Sequence, residues 1–306
     1  MFPNKPHYFS LVIVFFLVIC SCTMREENIA LIDFSDQTAE QTISSGIDTI
    51  PVLRVAIAAV ISPKESFVYY RELFDFMSDR LNMKIEFKQR MSYEEVNNLL
   101  DRNLVDIAFI CTGAYIDGSD GFDLLVTPVT KDKPYFHAYV IANENSGIET
   151  FQDIRDHSFA YTDPLSFTGR TYPLKRVLDQ GSEPDSFFSS LIYTMSHDVS
   201  IQMVSRNLVD AASVSGLIFD YLSVNQPEMV MNINIIEKSE DFGMPPVVSS
   251  LLLPVETRDR LRELFTQMHE DARGMEILGK LKIEHFVIAD DTLYSSARKM
   301  RNEAWQ

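Results

Sequence analysis

The chain has 306 residues, is 46% hydrophobic and carries a formal net charge of −17. It is long enough to bury a sizeable core, and its acidity argues against nucleic acid as a partner. Three cysteines are present, Cys20, Cys22 and Cys111, too few to build a disulfide framework.

The chain opens with Lys5 and His7, followed by an apolar run from Phe9 to Ile19. That run is short for a hydrocarbon core of ~30 Å and reads as the core of a signal peptide over residues 1–21. Ile19-Cys20-Ser21-Cys22 is similar to a bacterial lipobox: Ser21 is the small residue before Cys22, the expected lipidated N-terminus, and Cys20 leaves with the leader. Cys111 is then the remaining thiol. Residues 22–50, with six acids against Arg25, read as a flexible tether.

From Pro51 the texture becomes that of a folded domain. Leu53 to Val60 is a buried-strand run, Ile61 to Ser66 a loop, and Tyr70, Leu73, Phe74, Met77 and Leu81 mark one helix face. Ile85 to Phe87 is a second strand, Ser92 with Glu95 forms a capping box, and Asp106 to Ile110 is a third strand. A small parallel α/β layer is expected here. Tyr135 to Ala142 reads as a strand leading out of it. Phe159 to Thr162 is the next strand, Asp163 to Gly169 a loop, Tyr172 to Leu178 a helix, and Leu191 to Tyr193 a strand. Pro245-Pro246 and Val247 to Leu253 read as a return crossing, and Val255 to Leu281 as helix with Leu261, Leu264, Phe265 and Met268 on one face.

Two stretches repeat each other. Ser92-Tyr93 leads to Asn103-Leu104-Val105-Asp106, and Ser196-His197 leads to Asn207-Leu208-Val209-Asp210. One α/β unit used twice suggests two lobes around a cleft, with two crossings forming a hinge. The expected division is 51–135 with 250–306 for lobe 1 and 136–249 for lobe 2. Tyr93 and His197 would stand at two equivalent helix starts, where free N–H groups and the helix dipole favour an anion.

The Asp163–Gly169 loop offers Ser166, Thr168 and unpaired N–H groups at a helix start. Such a loop can cradle a tetrahedral oxyanion, while on spacing alone an ordinary Ser/Thr cap is the preferred reading. A nucleophile–base–orienter reading of Ser166, His197 and Asp198 fails on geometry, since His197 and Asp198 are neighbours at one helix start. The histidines are scattered, so neither a metal nor a cofactor is expected.

From about Val52 to Arg298 the chain resembles the substrate-binding proteins of phosphate, phosphite and phosphonate ABC importers. The residues that carry the resemblance are Asp-Pro-x-Ser-x-Thr-Gly at 163–169, Ser196-His197-Asp198, Tyr93, and Asp106 with Asp210. Ser146-Gly147-Ile148 with Asp153-Ile154, and a terminal segment from Phe286 to Tyr294, are also similar. The resemblance implies an α/β, two-lobed, type II periplasmic-binding-protein fold of the Venus-flytrap kind. It implies an oxyanion held by the Ser166-Phe167-Thr168-Gly169 loop and His197, with Tyr93 from the opposite lobe and Tyr135 from the crossing strand. It further implies a monomeric, extracytoplasmic, lipid-anchored protein that is not an enzyme and whose partner is an ABC permease or a membrane signalling receptor. Phe167 stands where relatives carry a second hydroxyl, so its ring must face the ligand or pack away. Leu217 and Pro245 stand where relatives that hold an ammonium place carboxylates, which points to a phosphate-like oxyanion, an ester or an apolar phosphonate.

Overall fold

The computed structural model describes residues 50–58, 63–288 and 290–305; the expected leader, Cys22 and the tether lie outside them. Strand β1 (Val52–Ala58) leads to helix α1 (Pro63–Leu81) and strand β2 (Lys84–Arg90). Helix α2 (Tyr93–Asp101), strand β3 (Ile107–Phe109), helix α3 (Thr112–Gly118) and the long strand β4 (Phe122–Val129) follow. The capping box at the start of α2 forms as expected, with Ser92 Oγ accepting the Glu95 N–H at 3.2 Å.

The run from Tyr135 divides into β5 (Tyr135–Phe136) and β6 (Ala138–Asn143). The interruption is His137, whose Nδ1–H donates to the Ser239 carbonyl at 2.8 Å while the chain passes from one sheet to another. Then come β7 (Ser158–Tyr161), α4 (Tyr172–Leu178), the short α5 (Pro184–Phe187) and β8 (Ser190–Tyr193). The second repeat supplies α6 (His197–Ser205) and β9 (Ala211–Ser215), and α7 (Gly216–Asn225) and β10 (Ile233–Lys238) complete that region. β11 (Phe242–Gly243) pairs antiparallel with β5, so the return crossing precedes Pro245.

β12 (Val247–Ser250) re-enters the first sheet. The expected single helix over 255–281 is two, α8 (Val255–Gln267) and α9 (Ala272–Leu281). Asp271 breaks them because its side chain caps the new helix, accepting the Gly274 N–H at 2.9 Å. β13 (His285–Val287) and α10 (Ser295–Ala304) end the fold.

Two sheets result, ordered β13-β4-β12-β3-β1-β2 and β10-β6-β9-β7-β8, with β5-β11 as a two-stranded link. The first sheet is mixed rather than parallel, because β12 runs antiparallel to both β3 and β4 and β13 runs antiparallel to β4. The repeat itself keeps one register. Tyr93–Asp101 and His197–Ser205 are helices 104 residues apart, and Asn103 and Asn207 after them share left-handed φ values of 53° and 55°. Asp106 Oδ2 accepts the Arg54 N–H at 2.7 Å and Asp210 Oδ2 accepts the Ser158 N–H at 2.8 Å, so each aspartate fixes the start of the neighbouring parallel strand.

One apolar cluster runs through both sheet regions, from Tyr93, Val96 and Ala114 to Phe159, Phe167 and Phe242. The C-terminal helix packs on α4, and the Arg170 guanidinium lies 4.1 Å from the centre of the Trp305 ring. Among the described residues no helix is long and apolar enough to cross a membrane.

Candidate functional site

The loop after β7 turns through a short π-helical segment, Phe167–Thr171, before α4. Ser166 begins it. Its Oγ accepts the Gly169 N–H at 3.0 Å, which leaves the hydroxyl proton available to donate. From β9, Ser213 Oγ donates to the Thr168 carbonyl at 2.6 Å and holds the turn against the sheet. Gly169 is required by space: a Cβ there would lie 1.8 Å from Thr162 Oγ1. Thr162 Oγ1 is itself buried without a hydrogen-bond partner.

His197 opens α6 and is 1% exposed. Its Nδ1 accepts the Ser215 N–H at 3.1 Å, which places the ring proton on Nε2. Burial lowers its pKa to about 4, against a smaller opposing effect of Asp198, so the imidazole is a neutral donor at physiological pH. Ser196 turns its hydroxyl to the Asp198 carboxylate instead of capping the helix.

The other helix start is different. At α2 the capping box engages the Glu95 N–H, and the Tyr93 N–H donates to Asp163 Oδ2 at 2.9 Å. The start of α2, expected to receive a ligand anion, is filled by a carboxylate of the protein itself. The Tyr93 ring is buried at 1% exposure, and burial, with smaller effects of Cys111, Asp163 and Asp198, raises its pKa well above the usual phenol value. Asp163 also accepts the Leu165 N–H at 2.7 Å, yet burial outweighs both donors and raises its pKa. Gly113 presses on the same loop; a Cβ there would lie 2.1 Å from the Leu165 oxygen and 2.7 Å from the Phe167 nitrogen.

Phe167 packs away. Its ring is wholly buried, edge-on to Phe242 of β11 with centroids 4.5 Å apart. Tyr135 stays outside the buried group, with its side chain 38% exposed beside the inward-facing Phe136. The structure thus brings Tyr93, Ser166, Thr168, Gly169 and His197 into the interior and leaves Tyr135 at the surface of the crossing. The bonds of Asp163 to Tyr93 and of Ser215 to His197 are not readable from residue type, because the partners lie 70 and 18 residues away.

The described elements are those of known binding proteins. A binding-protein component of an ABC phosphonate transporter from Pseudomonas aeruginosa superposes with a TM-score of 0.79 at 22% identity, over 84% of this chain and 87% of that one. The fold is therefore that of type II periplasmic binding proteins. In sequence, the phosphonates-binding periplasmic protein of Escherichia coli is 22% identical over 70% of this chain and 65% of its own length. The phosphate-import protein PhnD of Mycolicibacterium smegmatis is 25% identical over 65% of this chain and 66% of its own. The chain thus matches just under two thirds of the length of these two relatives. The family model described as ABC transporter, phosphonate, periplasmic substrate-binding protein matches residues 55–294, and the chain belongs to that family.

Proposed function

We propose that the protein is an extracytoplasmic solute-binding protein that captures a phosphate-like or phosphonate oxyanion between its two lobes and delivers it to an ABC importer. The observation that supports this reading is a set of buried neutral donors tied to one strand, with Ser213 of β9 holding the Thr168 carbonyl and Ser215 the His197 ring. Ser166, Thr168 and His197 are each buried and carry the Ser166 O–H, the Thr168 hydroxyl and the His197 Nε2–H, and α6 starts at His197. Short-range hydrogen bonds and a helix end suit an oxyanion there, since a chain of charge −17 repels anions at distance.

In this reading residues 51–135 with 250–306 form one lobe and 136–249 the other, with Tyr93 and the 163–169 loop facing each other. The family is a transporter component, and the site is a binding site without catalysis: His197 Nδ1 is taken by a backbone N–H and is unavailable as a base for Ser166. The protein acts as a monomer, tethered through a lipid on Cys22. Replacing Cys22 by Ala should release it from the membrane fraction; continued membrane association would point to another anchor.

The decisive test is thermal unfolding against phosphate, phosphite, methylphosphonate, phosphate esters and sulfate. A ligand at a hundredfold its dissociation constant adds about 2.7 kcal/mol of stability and raises the midpoint. A response to phosphate or a phosphonate supports the reading, and a flat panel overturns it.

A further inference from the structure

Six large apolar side chains stand exposed at one edge of the first sheet: Ile50, Val52, Leu104, Leu251, Leu252 and Val255. The topology gathers them. β1 and β3 are parallel, with Val55 opposite Ile107, so both begin at this edge; β12 is antiparallel to β3 and ends there. Hydrogen bonds tie the three together. The Asp106 N–H donates to the Arg54 carbonyl at 2.8 Å, the Ser250 N–H to the Asp106 carbonyl at 2.9 Å, and Ser250 Oγ to Asn103 Oδ1 at 2.5 Å. Leu104 and Leu251 each adjoin a member of that set, and Leu252, 73% exposed, stands in the turn leading to Val255 and α8. Neighbouring charges are paired within the fold, Arg54 with Asp106 and Arg258 with Asp123, each at 2.6 Å, while Glu256 is exposed beside Val255. The opposite edge of the sheet, where β3 ends and β12 begins, adjoins Pro246 and the crossing.

We propose that the edge carrying Leu251, Leu252 and Val255 rests on the surface of a zwitterionic lipid bilayer and so turns the crossing away from the membrane. The inference rests on the reading that Cys22 carries a lipid, and goes beyond it by naming the face that meets the bilayer. Exposed aliphatic residues are ordinary when scattered, whereas a group of six on one edge marks a contact surface. The occupant follows from where the chain joins the fold. Residues 23–49 separate Cys22 from Ile50, so a lipid on Cys22 presents the bilayer to this edge at a high effective concentration. Under that condition a weak apolar contact suffices, and the same contact does not retain a chain without the lipid. The charge of −17, with Glu256 at the edge itself, favours a zwitterionic surface over an anionic one.

The test is amide hydrogen exchange of the full, lipid-bearing chain, free in detergent and on phosphatidylcholine vesicles. Residues 251–255 should exchange more slowly on the vesicles, while the equally exposed segment around Val224 should not change. Adding phosphatidylglycerol to the vesicles should reduce the protection. Leu251→Asp combined with Leu252→Asp should abolish it and leave the thermal midpoint in place, because both side chains are exposed. Unchanged exchange at 251–255 in a vesicle-bound chain overturns the inference and leaves the lipid on Cys22 standing. Protection that appears without vesicles and grows with protein concentration also overturns it, since the edge would then join two copies of the chain. A chain that fails to associate with the vesicles at all overturns the lipid reading and this inference together.

Discussion

Asp163 Oδ2 accepts the backbone N–H of Tyr93 at 2.9 Å, joining the loop after β7 to the start of α2. The carboxylate does for α2 what a bound anion would do, and it ties the 163–169 loop to the first copy of the repeated unit. Burial raises the Asp163 pKa even so, which means the link is held at some electrostatic cost.

That relationship predicts a difference between two substitutions. Asp163→Ala removes the acceptor of both the Tyr93 and Leu165 N–H groups and should destabilise the protein by about 1 to 3 kcal/mol in urea unfolding. Asp163→Asn keeps one oxygen and should cost less. Equal stability of the alanine variant and the unmodified protein would show that the link contributes nothing.

His197 makes a pH prediction whose sign follows from its lowered pKa. The unfolded ring titrates near 6.5 and the folded one at about 4, so between these values the unfolded chain binds the additional proton. The contribution of this group is complete above pH 6.5 and is lost as pH falls toward 4. Its size is on the order of 3 kcal/mol. Comparing the stability of the protein with that of His197→Gln across pH 7.5 to 4 should show the steeper loss in the unmodified chain; parallel curves would contradict a buried neutral histidine.

Phe167 is predicted to be a core residue. Phe167→Ala should cost about 3 to 5 kcal/mol, as expected for emptying a fully buried aromatic site. A ring that merely faced a solvent-filled cleft would cost under about 1 kcal/mol, and chemical denaturation distinguishes the two.

Two glycines should behave oppositely. Gly169→Ala forces a Cβ onto Thr162 Oγ1 and should lower both the thermal midpoint and oxyanion affinity, because the loop that carries Ser166 and Thr168 must shift. Gly279→Ala, in open space on α9, should stabilise by about 0.5 to 1 kcal/mol through helix propensity. Similar effects at both positions would refute the steric argument at Gly169.

The repeated unit was legible because local signals define it: a capping serine, an amphipathic helix, an asparagine that accepts positive φ, and an aspartate before an apolar strand. The loop donors were legible by residue type for the same reason. The break at His137 was not, since the residues on either side form one apolar run and only the change of sheet separates them. The eight residues of β4 were not legible because Phe122 to Val129 lacks alternation and contains Pro128, which the sheet accommodates opposite Phe286. The unequal helix starts were hidden as well. Serine precedes both, and only the fold brings Asp163 to one of them.

The stacking of Arg170 on Trp305 has a practical consequence. Trp305 is the only tryptophan in the chain, and Arg170 follows directly on Gly169 of the loop after β7. The indole emission therefore originates from one defined place, stacked on the residue next to the Ser166–Gly169 turn. A spectrofluorometer with excitation selective for tryptophan can follow that turn during a titration or a stopped-flow mixing experiment, with no label attached to the protein.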